Sequence, residues 1–214
     1  MRANRLVIIG AGGHGRDVLD VVEAAGGFEV LGFLDDGDPA VAPLAARGSR
    51  LLGAVSALAD LGDVSVLIGI GDASMRAQLA ERIAGTPGLG PSPAVVHPSA
   101  SLGWGMVAGA GTVVVAGAVL SGNVSLGRHT YVGHNVTIGH DSVLEDFATV
   151  FPGATVSGAV RVGRAATIGA NAAIRQGLTI GEGAVVGMGA VVIADVAAGS
   201  TVVGNPARPP RPGS

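Results

Sequence analysis

Residues 126–144 read LGRHTYVGHNVTIGHDSVL, and a large aliphatic residue recurs there at every sixth position. The same spacing runs from residue 102 to residue 192, where fifteen of the sixteen positions are Leu, Ile or Val. Glycine follows the aliphatic residue at nine of these sixteen positions. An α-helix repeats every 3.6 residues and a half-buried strand every two, so neither produces this pattern. Each six-residue repeat therefore corresponds to a complete structural unit, and the pattern is not that of a single helix or strand.

A unit of six residues is long enough for one short strand and one corner. Three such units close a triangular coil in which the aliphatic side chains point inward and glycine eases the turn. The sixteen units predict a prism of a little over five coils, about 25 Å tall at the spacing of neighbouring strands. The position four residues after each aliphatic residue is small or apolar, which suits the space inside such a prism.

The composition excludes several classes of protein. Hydrophobic residues make up 48% of the 214 residues and charged residues 14%, which excludes a disordered chain. A net charge of −3 provides no basic surface, so no nucleic-acid partner is expected. The absence of cysteine excludes disulfides and thiolate zinc sites, and with no recognisable signal peptide at residues 1–13 we expect a cytoplasmic protein. Residues 105–120 are almost wholly apolar, but the six-residue repeat runs through them, so no membrane span is predicted.

The first 95 residues lack the repeat and follow an α/β pattern. Apolar runs at residues 6–9, 30–34 and 64–70 predict strands, and residues 16–25 and 73–84 predict helices. This is one mononucleotide-binding half of a Rossmann fold, not two. The sequence therefore predicts an α/β domain at residues 1–95 and a parallel β-helix with a C-terminal tail at residues 96–214.

The turn after the first predicted strand matches G-x-G-x-x-G at Gly10, Gly12 and Gly15, and the acidic residues Asp35 and Asp36 follow about twenty residues later. Such glycines let the backbone approach a diphosphate, and the helix N-terminus offers free N–H groups to it. A dinucleotide needs two half-domains, so a single nucleotide diphosphate fits better. In the alternative interpretation, the glycines serve only the packing of strand against helix.

Five histidines are available for chemistry, namely His14, His97, His129, His134 and His140. None has a second histidine or a carboxylate at metal-ligand spacing on a helix, so no metal site is predicted. His140 is followed directly by Asp141, and an adjacent carboxylate can hold a histidine in one tautomer as a general base. Without the surrounding architecture, an ordinary surface histidine is the better interpretation of His140. The chain lacks lysine and a G-x-S-x-G motif, so direct attack of a bound acceptor on a bound donor is favoured over covalent catalysis.

Together with the six-residue repeat, several short motifs carry a resemblance to a known family. They are GAGGHG at 10–15, FLDD at 33–36, IGD at 70–72 followed by Arg76, VHPSA at 96–100, IGHD at 138–141 and GNPAR at 204–208. In this combination the chain resembles the bacterial sugar O- and N-acyltransferases of the sialic acid O-acetyltransferase type, which include UDP-4-amino-sugar N-acetyltransferases. The resemblance covers nearly the whole chain. It implies a left-handed β-helix, a homotrimer with active sites between subunits, acetyl-CoA as the donor and a nucleotide sugar bound by the N-terminal domain.

The resemblance also implies roles for individual residues. His140 is expected to be the general base and Asp141 the acid that polarises it. The expected nucleotide-sugar residues are Gly10, Gly12, Gly13, His14, Asp35, Asp36, Gly71 and Arg76. The expected acetyl-CoA residues are Thr149, Gly158, Ala170, Met188, Gly189, Pro206 and Arg208, most of them on the neighbouring chain's coils.

One position departs from the pattern of this family. Many members carry a second histidine within the segment at residues 146–153, where this chain has Thr149. A hydroxyl can hydrogen-bond a thioester or a water molecule, but it cannot exchange a proton at neutral pH. Either the substrate differs or the second histidine is not essential.

These observations predict an acetyl-CoA-dependent acetyltransferase that acts on the amino group of a UDP-linked amino sugar. O-acetylation of sialic acid, or of another sugar hydroxyl, is the first alternative. The second is a non-catalytic binding module built on the same repeat.

Overall fold

The computed structural model describes residues 4–211. Four parallel strands form an N-terminal sheet in the spatial order β3-β2-β1-β4, namely β1 (Asn4–Ile9), β2 (Phe28–Leu34), β3 (Leu51–Gly53) and β4 (Ser65–Ile68). Helix α1 (Gly13–Ala25) follows β1, and helix α3 (Ala73–Ile83) follows β4. The short helix α2 (Ala42–Ala45) precedes β3, and a 3₁₀ helix (Val55–Asp60) follows it. The sequence pattern missed α2, β3 and the 3₁₀ helix, and it placed the start of α1 three residues too late.

Apolar side chains on both faces of β1 explain why helices cover the sheet on both sides. Leu6 and Ile8 pack against α1, whereas Val7 and Ile9 pack with Leu79 of α3 and with the 3₁₀ helix. All four β1 residues are at most 1% exposed. This continuous burial is typical of a central strand in a doubly covered parallel sheet. The predicted Rossmann-like half-domain is therefore confirmed.

The rest of the chain forms a left-handed β-helix with three flat faces of short parallel strands. The first face contains Val95–Val96, Val113–Val114, Tyr131–Val132, Thr149–Val150, Thr167–Ile168, Val185–Val186 and Thr201–Val202. The second face contains Ser101–Leu102, Val119–Leu120, Thr137–Ile138, Thr155–Val156, Ala173–Ile174 and Val191–Val192. The third face contains Val107–Ala108, Ser125–Leu126, Val143–Leu144, Arg161–Val162 and Thr179–Ile180.

Neighbouring strands of a face pair in register eighteen residues apart, as in the pairing of Tyr131 with Val113 and Thr149. The aliphatic residue of each six-residue unit points into the prism, and those from Val114 to Val192 are at most 3% exposed. Leu102, in the end strand of the second face, is 42% exposed. Val95–Val96 pairs with Val113–Val114, so this strand belongs to the prism and not to the N-terminal sheet. The boundary between residues 95 and 96 stays a prediction.

The N-terminal half-domain packs against the first face of the prism. Val18 and Leu19 of α1 belong to the same buried cluster as Val113 and Tyr131 of that face. A second contact is polar and surrounds Arg76 of α3, which is 2% exposed. The two contacts together fix the half-domain on one side of the prism.

The Arg76 guanidinium links α3 to the prism. Its Nη1 donates to the Ile70 and Gly71 carbonyls (2.7 and 3.3 Å), its Nε to the His129 carbonyl (3.0 Å), and its Nη2 to the Phe147 carbonyl and Thr149 Oγ1 (2.7 and 2.6 Å). Burial lowers the pKa of Arg76 to about 10, so the group stays charged at neutral pH. A guanidinium has five N–H donors, and these five contacts use them all.

This arrangement corrects two predictions. Arg76 was expected to contact a nucleotide sugar, but its donors are all directed at the protein. Thr149 was expected to contact acetyl-CoA, but it is fully buried and its hydroxyl accepts a hydrogen bond from Arg76. Both residues join the half-domain to the prism.

Two histidines lie beside Arg76. The His14 ring centroid is 4.1 Å from that of Tyr131, and the His129 ring stacks on Phe147 at 5.3 Å. Burial, and secondarily the charge of Arg76, lowers the pKa of each histidine to about 4. Both rings are therefore neutral at pH 7.

Replacing Arg76 tests the strength of this connection. In Arg76→Met the carbonyls and the Thr149 hydroxyl lose their donor inside the protein, and we expect a loss of about 3 to 5 kcal/mol in the free energy of unfolding. Arg82→Met, on the same helix, removes only the exposed ion pair with Asp36 and should cost less than about 1 kcal/mol. Urea unfolding followed by circular dichroism measures both. Equal losses in the two variants would contradict the assigned role of Arg76.

The two buried histidines predict a loss of stability in acid. Their pKa values are about 4 in the folded chain, against the ordinary value of 6.5, so between pH 6.5 and 4 the unfolded chain binds more protons. The free energy of unfolding should therefore fall as the pH falls through this window. His129→Asn removes one such group, and asparagine tolerates the positive φ of 53° at this corner. The melting temperature of the variant should decrease less between pH 6.5 and 4 than that of the parent, and parallel curves would argue against the prediction.

Candidate active site

His140 lies at the edge where the second and third faces of the prism meet, directly after the strand Thr137–Ile138. Its Nδ1 is 2.8 Å from Oδ2 of Asp141. Oδ1 of Asp141 accepts a hydrogen bond of 3.1 Å from Nδ2 of Asn123, one coil away. Asn123 and Asp141 both have a φ of 59°, a conformation that asparagine and aspartate tolerate better than most residues. The corner geometry thus stacks three polar side chains in the order Asn123, Asp141, His140.

The hydrogen bonds define which imidazole nitrogen is available. The bonds from His140 and Asn123 hold the pKa of Asp141 below its usual range, so it is a carboxylate at neutral pH. A carboxylate only accepts hydrogen bonds, so Nδ1 of His140 carries a proton, and in the neutral imidazole the lone pair is on Nε2. The His140 side chain is 71% exposed, which leaves Nε2 open to a substrate. This arrangement can remove a proton from a bound nucleophile.

Gly158 lies one coil above His140 at the same edge. A Cβ atom at residue 158 would be only 2.7 Å from Nε2 of His140, so the position of the ring requires glycine there. The backbone N–H of Ala159 donates to the His140 carbonyl at 2.7 Å and fixes the spacing of these two corners. Gly158 is thus the only predicted acetyl-CoA residue at the edge of His140.

The other predicted acetyl-CoA residues lie elsewhere. Ala170, Met188 and Gly189 follow strands of the first face, at its edge with the second face, and Gly189 donates to the Ala170 carbonyl at 2.8 Å. Met188 is 82% exposed. Pro206 and Arg208 are exposed in a C-terminal turn closed by hydrogen bonds between Val203 and Arg208. One chain therefore presents these residues on two separate edges and does not form one groove from them.

The half-domain contains a pocket of about 430 Å³ at the carboxyl ends of β1 and β2. It is lined by Ile9, Gly10, Asp35, Asp36, Gly37, Val55, Ile70, Met75, Gln78, Leu79 and Arg82. This edge of a parallel sheet is where ligands bind in open α/β folds. Of the predicted nucleotide-sugar residues, Gly10, Asp35 and Asp36 are in the pocket.

The two aspartates of this pocket are held by the protein itself. Asp35 accepts from the N–H groups of Ala11 and Gly37, at 2.7 and 2.8 Å. Asp36 accepts from the N–H of Val55 at 2.8 Å and from Arg82 at 2.6 Å, and these bonds lower its pKa. Each of the four carboxylate oxygens therefore already has a protein donor.

The glycines of the first turn have two different roles. A Cβ at residue 15 would clash with the Gly10 carbonyl, and Gly10 itself has a φ of 102°. The close approach of strand and helix therefore requires glycine at these two positions. In contrast, no atom lies within 4 Å of a Cβ built at Gly12, and no side chain caps the N-terminus of α1. Gly12 and the neighbouring Gly13 are exposed at the open end of this helix.

His14 and Gly71 lie between the half-domain and the prism and do not line the pocket. The His14 ring covers Gly71, with Nδ1 3.4 Å from a Cβ built at that residue. Nε2 of His14 is buried and has no hydrogen-bond partner within residues 4–211. The expectation that His14 and Gly71 contact a nucleotide sugar therefore has no support in the geometry of one chain.

One chain does not bring His140 and the pocket of the half-domain together. The half-domain packs on the first face, whereas His140 lies at the edge between the second and third faces. In a triangular prism that edge is opposite the first face. The two halves of the predicted site therefore point away from each other within a chain.

Sequence reasoning missed Asn123, although the eighteen-residue register offered a signal. Asn123 precedes Asp141 by one coil, so it stacks on Asp141 at the same corner position. In the part of the chain that the structure describes, no group of three or more His, Cys, Asp and Glu residues could hold a metal ion. Within residues 4–211 no helix has the length and apolarity needed to cross a membrane.

Solved structures with this architecture include acetyltransferases. The family described as PglD N-terminal domain matches residues 5–83. The acetyltransferase domain of PglB from Neisseria gonorrhoeae FA1090, solved with acetyl coenzyme A, is 34% identical with a TM-score of 0.89 over 97% of this chain and 99% of that chain. PerB from Caulobacter crescentus, solved with CoA and GDP-perosamine, is 28% identical with a TM-score of 0.86 over 96% of both chains. WeeI from Acinetobacter baumannii AYE is also 28% identical, with a TM-score of 0.84 over 96% of this chain and 99% of that one.

No curated protein sequence matches the chain. The identity to the PglB domain and its coverage of both chains establish the relationship. With the half-domain, the six-residue repeat and the His140 corner in place, the chain belongs to the hexapeptide-repeat sugar acyltransferases that carry a PglD N-terminal domain.

Proposed function

We propose that this acyltransferase moves the acetyl group of acetyl-CoA to the amino group of a UDP-linked amino sugar, with His140 as the general base. The observation that carries the proposal is the Asn123–Asp141–His140 arrangement, because Asp141 binds Nδ1 of His140 and leaves Nε2 exposed. The relatives solved with acetyl coenzyme A, and with CoA and GDP-perosamine, support the substrate classes. In this proposal, residues 1–95 bind the nucleotide sugar, residues 96–214 bind the donor, and the protein acts in the cytoplasm, as the lack of cysteine leads us to expect.

The reaction follows from the position of Nε2. The amino nitrogen of the sugar attacks the thioester carbon while Nε2 of His140 takes a proton from that nitrogen. The C–N bond forms, the C–S bond breaks, and the proton passes to the leaving CoA thiolate. A backbone N–H at Gly158, one coil above His140, is proposed to stabilise the developing oxyanion.

The choice of UDP rests on the resemblance to the UDP-4-amino-sugar N-acetyltransferases, although PerB was solved with a GDP sugar. A direct comparison of UDP-linked and GDP-linked acceptors tests this choice.

We further propose a homotrimer with its sites between subunits. The half-domain and His140 lie on opposite sides of one prism, so a sugar bound in the pocket cannot reach Nε2 of the same chain. In a closed ring, the first face of one prism can approach the opposite edge of the next. Ala170, Met188, Gly189, Pro206 and Arg208 would then line the CoA channel from the neighbouring chain.

The reaction is tested by thiol release from acetyl-CoA with several acceptors. We expect release with a UDP-4-amino-sugar, less with a GDP-4-amino-sugar, and none with free or CMP-linked sialic acid. His140→Ala should lower kcat by a factor of about 10² to 10⁴, the usual contribution of a general base. Because the His140 side chain is 71% exposed, the melting temperature of this variant should not change.

His97→Ala serves as the control, because it removes a histidine that bonds only to Ser99 and lies outside the proposed site. Thiol release with sialic acid alone would show that the enzyme catalyses O-acetylation and not N-acetylation. Binding of acetyl-CoA without turnover of any acceptor would favour the non-catalytic module, and unchanged turnover in His140→Ala would remove His140 from the mechanism.

Mixed oligomers test whether the site spans two chains. Gly12→Asp adds a favourable N-cap to α1 where space is open, but its charge repels a diphosphate, so the variant should fold and be inactive. His140→Ala keeps the pocket intact but lacks the proposed general base, so it should also be inactive. When the two variants are unfolded together and refolded, about one quarter of the sites combine an intact pocket with an intact base from different chains. We expect up to that share of the parent activity. Activity no higher than in either variant refolded alone would place the site within one chain.

A further inference from the structure

We propose that Asn123 is a positioning residue for the reaction, because it holds Asp141 in the orientation that keeps Nε2 of His140 free and directed at the substrate. The inference rests on the proposed function and extends it. No hydrogen bond joins the side chains of Asn123 and His140 in the described part of the chain. Its Nδ2 donates to Oδ1 of Asp141, and the opposite oxygen of that carboxylate pairs with Nδ1 of His140.

Asp141 needs such a restraint because its surroundings provide little packing. The Asp141 side chain is 55% exposed, and the neighbouring His140 side chain is 71% exposed. An exposed carboxylate with a single partner rotates readily, and water competes for its oxygens. With Asn123 on one oxygen and His140 on the other, the carboxylate plane is fixed at both ends.

The backbone around Asn123 is held independently of its side chain. The Asn123 N–H donates to the Trp104 carbonyl at 2.8 Å, and the Asp141 N–H donates to the Gly122 carbonyl at 3.1 Å. The corners therefore keep their spacing when the Asn123 side chain is removed. Glycine tolerates a φ of 59°, so Asn123→Gly deletes the amide without strain.

The same corner position in other coils supports this assignment. Counting by eighteen gives Gly105, Asn123, Asp141, Ala159, Gly177 and Asp195. Of the five that have a positive φ, residues 105 to 177, only Asn123 and Asp141 have polar side chains. Glycine at residues 105 and 177 and alanine at residue 159 meet the same backbone requirement without one.

The chain offers a matched control in Asn135. It has a φ of 54°, its N–H donates to the Ala116 carbonyl at 3.2 Å, and it lies at a corner of the neighbouring edge. Asn135→Gly reproduces the backbone change of Asn123→Gly without touching Asp141. The comparison separates the amide of Asn123 from the general effect of glycine at a corner.

Steady-state kinetics and NMR provide the test. For Asn123→Gly we expect kcat to fall about 5- to 50-fold, because the productive orientation of the base is populated less often. KM for both substrates should stay within about twofold of the parent values. In Asn135→Gly, both kcat and KM should stay within about twofold of the parent values. Long-range ¹H–¹⁵N correlation spectra of His140 should show a smaller share of the Nδ1–H tautomer in Asn123→Gly only.

A second variant, Asn123→Asp, tests the proposal by changing the charge beside Asp141. Asn123→Asp keeps the size and the tolerance of positive φ, but places another negative charge beside Asp141. A negative charge near an imidazole favours its protonated form. The rising limb of the kcat/KM profile should therefore move to higher pH, a change that a loss of folding stability does not produce.

The outcomes are distinct. If Asn123→Gly has the same kcat and the same share of the Nδ1–H tautomer as Asn135→Gly, the proposed role of Asn123 is wrong. The assignment of His140 as the general base is not affected by that result. An unmoved pH profile in Asn123→Asp would likewise show that the proposed role of Asn123 is wrong. Activity that survives His140→Ala would overturn the proposed function, and with it the role of Asn123, even if the spectrum of His140 changed.

Discussion

The inward-pointing column of aliphatic residues is the constraint on which the rest of the structure depends. Each coil buries its Leu, Ile or Val against the coils above and below, so strands must stack with the same register at every level. Because the register is fixed, residues eighteen apart come into contact at the corners even though they are far apart in the sequence. The Asn123–Asp141 hydrogen bond, the place of Gly158 above His140 and the stacking of His129 on Phe147 all follow from it.

The prism also serves as a rigid support for the half-domain. A flat face of short strands offers α1 an apolar surface at Val113 and Tyr131. Arg76 adds direction to this contact, because a planar fork of donors fits the carbonyls and the hydroxyl in one orientation only. The pocket of the half-domain is therefore fixed relative to the coils. In the proposed trimer this places the pocket of one chain at a defined distance from the base of the next.

The sequence could predict the architecture but only part of the site. The six-residue period predicts the prism because each unit repeats the same burial, and the His140–Asp141 pair is visible because its members are adjacent. Arg76 was misplaced because a helical pattern shows that α3 has two sides but not which neighbour each side meets. Residues such as Gln78 and Leu79 line the pocket, while Arg76 turns to the prism. Thr149 was misread for the same reason, since its hydroxyl responds to a partner that is 73 residues away.

The eighteen-residue coil also restricts how such a chain can change in length. An insertion of one full coil lengthens the prism and returns every later residue to its own edge. An insertion of six or twelve residues keeps the aliphatic column buried, yet it turns all later coils by one third or two thirds of a revolution. If six residues entered between His140 and Gly158, the fold would survive, but Gly158 would leave the edge of His140 and another corner would stand above the base. Insertions that are neutral for folding thus fall into two classes, and only those of whole coils preserve the surroundings of His140.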